Sequence, residues 1–238
     1  MMGRMLSDAD IRRFGEDGVV AVRGAFSREA AAAAVEVLTR QLGPVDDGPV
    51  QRVLASVDPA VVATANTTRL TDAFDRVVGP GAWSPIRGMG SFVARFPSEA
   101  DPGDAGWHCD GGFLRDGGYW LNARSEGRAL LVLLLYTDVG PDDAPTRLRL
   151  GSHRVVAPIL EPYGERGVDP FTFAAAAVPA TDGCPVALAT GSAGDAYLCH
   201  PFLVHAASWP HRGSGPRWIA QQALPPTPAF DVSALGCR

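Results

Sequence analysis

Lysine is missing from this chain: all 21 basic residues are arginine. That excludes lysine Schiff-base chemistry, the usual anchoring of pyridoxal phosphate and the lysine of a phosphate-binding P-loop. Cysteine is scarce and scattered. Cys109, Cys184, Cys199 and Cys237 form no Cys-x-x-Cys pair, which excludes a zinc ribbon or a dithiol redox motif. Long apolar runs are absent as well; the longest, Ala129 to Tyr136, suits a buried strand and is far too short to span a bilayer. There is no basic patch with interleaved aromatics. With a net charge of −5 and a pI near 5.5, neither nucleic acid nor an anionic membrane is an expected partner. The opening residues, MMGRMLSDADIRRFGEDG, turn charged before an apolar core could form, so a cytoplasmic protein with reduced thiols is expected.

What is present describes a globular chain of 238 residues, 46% hydrophobic and 20% charged, long enough for one large domain spanning 1–238. Residues 1–80 read as a mostly helical flank. Ser7 followed by Asp10 has the form of a helix cap, and the helix it starts ends at Gly15 or Gly18. Val19 to Val22 reads as a short strand. Ser27 caps an alanine-rich helix that stops at Gly43-Pro44, with Val35 and Leu38 on one face. A further helical segment is expected around Pro59 to Val78.

From Trp83 the texture changes to short apolar runs punctuated by Gly, Pro and Asp. Strands are expected at Gly90–Phe96, Gly106–Asp110, Ala129–Asp138, Thr146–Leu150, Asp195–His200, Leu203–Ala207 and Arg217–Leu224. The expected fold is therefore mainly β, of the α+β class: a sandwich or jelly-roll core over 83–225 with N-terminal helices packed outside it. The segments Pro97–Ala105, Gly111–Arg124 and Pro158–Pro185 read as loops that select the substrate.

Two stretches carry candidate chemistry. In GWHCDGG, Gly106 to Gly112, an extended backbone would point His108 and Asp110 to one face and Cys109 to the other. A redox-active iron takes two neutral imidazoles and one carboxylate on one side of its coordination sphere, leaving positions open for oxygen and a co-substrate. His108 and Asp110 supply two such ligands. The third must come from a distant strand, and GSAGDAYLCHPFLVHAASWPHRGSGPRWIAQQ (Gly191 to Gln222) offers His200, His205 and His211. His200 precedes a proline at a strand end and His211 sits in a turn. His205 lies inside an apolar strand, where an imidazole is costly unless its nitrogens are satisfied. Twelve residues later, Arg217 could grip a carboxylate bidentately. Chemistry alone leaves the choice among the histidines open.

The order His108-x-Asp110, then PTRLRLGSH (Pro145–His153), then GDAYLCHPFLVHAAS and Arg217 resembles the phytanoyl-CoA dioxygenase family, as does the N-terminal LSDADIRRFGEDGVVAVRGAFS. The resemblance runs from Leu6 to about Leu224. It implies a double-stranded β-helix, or jelly roll, and an oxygenase that uses Fe(II), 2-oxoglutarate and O2 on a small-molecule substrate. By position it makes His108, Asp110 and His205 the iron ligands, Arg217 the partner of the distal carboxylate of 2-oxoglutarate, and Thr146 a hydrogen-bond donor to the co-substrate. His153 is expected as a structural residue. A carboxylate at 110, where related halogenases carry a small residue, implies hydroxylation rather than chlorination. Desaturation or ring formation stay open as outcomes.

The sequence departs from the family in having no co-substrate lysine, in Trp209-Pro210-His211 where an asparagine is common, and in Leu150-Gly151 where proline-glycine is usual. Two rival readings are a cupin-like zinc or manganese hydrolase or isomerase, for which Arg217 would have no use, and a jelly roll that only binds. Trp83, Phe113, Tyr119, Trp120 and Trp209 are candidate pocket aromatics. Arg87, Arg95 and Arg128 are candidate anion contacts, with ordinary surface ion pairs as the expected role.

Overall fold

Serine caps set the helical flank. In the computed structural model, which describes residues 5–44 and 48–235, Ser7 begins helix α1 (Asp8–Asp17) with a reciprocal capping box. Its hydroxyl accepts from Asp10 N, while the Asp10 carboxylate accepts from Ser7 N at 2.8 Å. Gly18 ends the helix in the left-handed region, at φ 77°. Residues 1–4 and Cys237, which entered the expectations above, lie outside the described residues. Ser27 caps α2 (Arg28–Leu42), whose buried face is Ala31, Ala34, Val37 and Leu38; Val35, expected on that face, sits at its margin. The segment from Pro59 is two helices, α3 (Pro59–Ala63) and α4 (Thr68–Val77), because the Thr67 hydroxyl accepts from Leu70 N and starts a new one.

Among the described residues there are three antiparallel sheets. The largest contains β1 (Val19–Val22), β2 (Val50–Val53), β3 (Phe92–Arg95), β6 (Leu130–Leu135), β9 (Ala196–Cys199) and β11 (Arg217–Leu224), in the order β1-β9-β6-β11-β3-β2. A second sheet has the order β10-β7-β8, from β7 (Arg147–Arg149), β8 (Val186–Leu188) and β10 (His205–Ala206). The third is the hairpin of β4 (Gly112–Arg115) and β5 (Gly118–Leu121). Helices α5 (Ser152–Leu160) and α6 (Pro170–Ala180) follow β7.

Side-chain parity sorts the large sheet into two faces. Leu130, Val132 and Leu134 join Val20, Phe92, Leu198 and Trp218 in a core shared with Phe14, Leu38, Leu70 and Phe74 of the helices. Leu131, Leu133 and Leu135 face the other way, with Val93, Tyr197, Ile219 and, from the second sheet, Leu148. This is why Leu130–Leu135 is a continuous apolar run: it is buried on both faces. Arg217 shares the parity of Ile219, so it points to the inner face, toward the sheet that carries His205.

Three expectations need correction. Gly106–Asp110 is not a strand; it makes one isolated bridge, His108 to His205, because the surrounding glycines and Pro102 give no continuous ladder. Pro158–Pro185 is not a long loop: α5 extends into it and Asp169 caps α6 by accepting from Phe171 N and Thr172 N. Gly111–Arg124 holds the β4–β5 hairpin, turned through Asp116-Gly117 with both residues at positive φ. No described helix is long and apolar enough to cross a membrane.

Candidate active site

His205 is fixed by pairing on both sides. It stands opposite Leu148 of β7, and its backbone exchanges two hydrogen bonds with His108, of 2.8 and 2.9 Å. Residues bridged in this way direct their side chains to the same face, and the two imidazole rings lie 4.4 Å apart, centre to centre. Asp110, two residues on, returns to the same side. Its Oδ2 is 3.6 Å from His205 Nε2, and ligand atoms of His108, Asp110 and His205 all fall within 4.8 Å of one another. Cys109 points away, into a cluster with Leu121, Val156 and Phe202, where burial pushes its thiol up to about 12.

Each imidazole is oriented by its other nitrogen. Nδ1 of His108 lies 2.9 Å from the Gly106 carbonyl and Nδ1 of His205 3.0 Å from the Leu203 carbonyl. Donation from Nδ1 to these carbonyls leaves Nε2 as the lone-pair atom on both rings, the tautomer a metal ligand needs. Burial lowers His205 to about 4 against the pull of Asp110, so it is neutral at pH 7. Burial acts to raise the Asp110 carboxyl, but His205, the Arg128 guanidinium and His108 outweigh it and keep Asp110 anionic.

Nε2 of His205 is buried and has no hydrogen-bond partner. A buried polar atom left this way costs about 1–3 kcal/mol, and a metal ion among the three residues would satisfy it. Two neutral imidazoles and one carboxylate fit iron(II).

Beside His108 opens a cavity of about 100 Å³, also lined by Thr146, Arg95, Asp104, Ala207 and Arg217. Arg217 is 2% exposed; one of its N–H groups donates to the Ala144 carbonyl and its Nε is unpartnered. Burial, with the charge of Arg95 adding to it, lowers its guanidinium to about 9. Arg95 is its direct cross-strand neighbour on β3 and is itself held by Asp104 at 2.7 and 2.8 Å. Two buried guanidiniums beside one carboxylate make a cavity that suits an anion.

Arg147 joins the two ligand segments. Its guanidinium donates to the carbonyl of Ala105, before His108, and to that of Ala207, after His205. The indole of Trp107 packs against both Arg147 and Arg149, at 4.6 and 4.3 Å from the ring centre. Arg149 is anchored in turn by Val178, Thr181 and Asp182.

The other histidines lie elsewhere. His200 and His153 pack together with ring centres 4.8 Å apart, and burial keeps both neutral. His153 is in the first turn of α5, against Gly18. His211 bridges Ser98 and Asp143 through its backbone. Arg95 and Arg128 were expected as ordinary surface pairs; Arg95 is instead buried beside Asp104, and Arg128 is half-buried beside Asp110. For Arg95 the signal was its parity with Val93. Nothing in the sequence signals the reach of Arg147. Of the aromatics, Trp83 packs on Phe74 and donates to Asp75, and Tyr119 borders the ligand cluster.

The family model for phytanoyl-CoA dioxygenase matches residues 14–218. No curated protein matches the chain in sequence. Among solved structures, the chain is similar to a non-heme alpha ketoglutarate dependent carbocyclase, SnoK, from nogalamycin biosynthesis. That likeness has 19% identity and a TM-score of 0.63, over 92% of this chain and 84% of the other. It is also similar to HygX from Streptomyces hygroscopicus with nickel and 2-oxoglutarate bound, at 18% identity and TM-score 0.60, over 93% and 88%. The epimerase SnoN, again from nogalamycin biosynthesis, follows at 18% and 0.60, over 90% and 80%. At these identities the likeness is one of fold.

Proposed function

Because this chain belongs to the phytanoyl-CoA dioxygenase family, an Fe(II)- and 2-oxoglutarate-dependent group of oxygenases, we propose a site and a reaction for it. His108, Asp110 and His205 hold iron(II); Arg217 takes the distal carboxylate of 2-oxoglutarate in the small cavity, with the Thr146 hydroxyl beside it. The reaction is hydroxylation of a small molecule in the cytoplasm. We also infer that the large sheet and the β10-β7-β8 sheet are the two faces of a double-stranded β-helix, with the site between them, and that 1–238 is one domain. The observation that carries the reading is the orphaned, neutral Nε2 of His205 next to the Asp110 carboxylate.

Bound iron(II), with 2-oxoglutarate and O2, supplies the oxidation of a substrate C–H bond coupled to conversion of 2-oxoglutarate to succinate and carbon dioxide. The chain's residues do the rest. The carbonyls of Gly106 and Leu203 hold the two imidazoles in the ligating tautomer. Arg217 and Arg95 select a dicarboxylate and fix its orientation, and Val93 and Ile219 give the cavity an apolar side. A hydrolase built on the same three ligands would have no use for Arg217.

Anaerobic titration of iron(II) and 2-oxoglutarate into the metal-free protein tests this. A visible charge-transfer band of the chelate is expected in the wild type and a weaker one in Asp110→Ala. Arg217→Ala should need about 30-fold more 2-oxoglutarate or worse, since truncating one partner of a buried charge pair costs about 2–5 kcal/mol. Metal binding without a band would overturn the oxygenase reading.

A further inference from the structure

Arg128 stands two residues before β6, and its side chain is only 14% exposed. The guanidinium is half-buried, and its buried Nε has no hydrogen-bond partner. The nearest anion, Asp110 Oδ2, is 3.5 Å away, beyond the 2.7–2.9 Å or so of a charge-assisted hydrogen bond. Asp110 is also a proposed iron ligand, so its charge is committed to the metal. Tyr119 of β5 lies beside Arg128 and Asp110. Its ring is seated on Gly112, where a Cβ would come within 2.2 Å of it. Neither Arg128 nor Tyr119 lines the cavity that holds Arg217. Arg217 and Arg95 thus line the cavity assigned to the co-substrate, and Arg128 stands outside it beside Asp110.

The one anion Arg128 reaches is the Asp110 carboxylate, which a bound metal ion would share, so its guanidinium has no counter-charge of its own. Resting on the oxygenase reading above, we propose that Arg128, with the Tyr119 hydroxyl, binds a carboxylate of the substrate, which is therefore a carboxylic acid. A carboxylate on Arg128 sits next to a ligand of the metal, so the carbon oxidised lies within a few bonds of it.

The rival role for Arg128 is to hold Asp110 in place, and metal affinity separates the two. A cation beside a dication repels it, so a substrate-binding Arg128 weakens metal binding slightly and a positioning Arg128 strengthens it. The test uses the full chain loaded with Mn(II) and 2-oxoglutarate, with acetate, acetamide and methyl phosphate as probes, read by paramagnetic relaxation of their methyl protons. In wild type, acetate should relax at least tenfold faster than acetamide at equal concentration, and faster than methyl phosphate. Arg128→Gln should bring acetate down to the acetamide level while binding Mn(II) as tightly as wild type or tighter. Arg128→Lys, which keeps the charge, should retain part of the preference.

An acetate preference that persists in Arg128→Gln would overturn the proposal. So would no preference in wild type, or a preference for methyl phosphate. Weaker Mn(II) binding in Arg128→Gln with the acetate preference intact would assign Arg128 to positioning. The iron–2-oxoglutarate band on the same wild-type preparation reports separately on the oxygenase reading.

Discussion

The two halves of the candidate metal site are held in different ways. His205 and Arg217 lie on strands, fully buried, each opposite a named partner: His205 faces Leu148, and Arg217 faces Arg95. His108 and Asp110 lie on an irregular segment. One backbone bridge, the Trp107 contact and the reach of Arg147 hold them, and His108 is exposed. The first half is a by-product of forming the core, since the apolar run around each residue positions it. The second depends on a few polar contacts spaced along a glycine-rich turn. One wall of the site is thus set by the core and the other by a few polar contacts.

The largest expected effect is common to both halves. His205→Ala and His108→Ala should each abolish measurable Ni(II) binding in calorimetry, because either leaves only two ligands. They should differ in the metal-free protein. His108→Ala should change unfolding free energy by no more than about 0.5 kcal/mol, as exposed substitutions do. His205→Ala, at 0% exposure, should change the urea midpoint clearly. Equal shifts would break the comparison.

Acid should next separate buried from exposed imidazoles. His205 and His153 are lowered to about 4, and His200 is lowered further, chiefly by burial. Their neutral forms are native, whereas the unfolded chain takes up protons below about 6.5. Between about 6.5 and 4 the unfolded state therefore binds more protons, and stability falls as pH falls. Each fully buried imidazole contributes up to about 3 kcal/mol to that loss. Urea midpoints between pH 7 and 4.5 should follow this slope, and His153→Gln should flatten it.

A smaller effect targets the side chain that ties the halves together. Arg147→Met keeps most of the packing on Trp107 and removes the hydrogen bonds to Ala105 and Ala207. It should cost about 2 kcal/mol of stability, since bonds to charged groups are worth roughly 1.5–3 kcal/mol. Ni(II) affinity should drop about tenfold without loss of the iron–2-oxoglutarate band at saturation. An unchanged affinity would mean that the bridge alone orders His108. The smallest effect belongs to Leu114, 82% exposed on β4: Leu114→Ser should leave both stability, within about 0.5 kcal/mol, and metal affinity unchanged.

This asymmetry also explains what could be read in advance. Strands β1 and β11 match their expected limits because their apolar pattern and flanking turns are local signals. Arg217 could be placed on such a strand, and its inward direction follows from the parity of Ile219. His108 and Asp110 were legible as a pair, though the strand expected to align them does not form; one bridge to His205 does that work. Such a contact joins residues 97 positions apart and leaves no periodic trace. The helix α6 was hidden by its two prolines and the glycines around it: Pro170 is tolerated in the first turn and Pro179 comes at the end. No local pattern shows that Arg128, two places before a strand, turns its side chain toward Asp110.

The β4–β5 hairpin has a consequence of another kind. It begins two residues after Asp110, forms its own two-stranded sheet, and touches the rest of the described chain through few backbone bonds, among them the pair between Leu121 and Val168. Because it pairs with neither large sheet, the exposed Leu114 and the Asp116-Gly117 turn can vary without disturbing the register of those sheets, whereas the buried Gly112, Phe113 and Leu121 fix where the hairpin starts and ends.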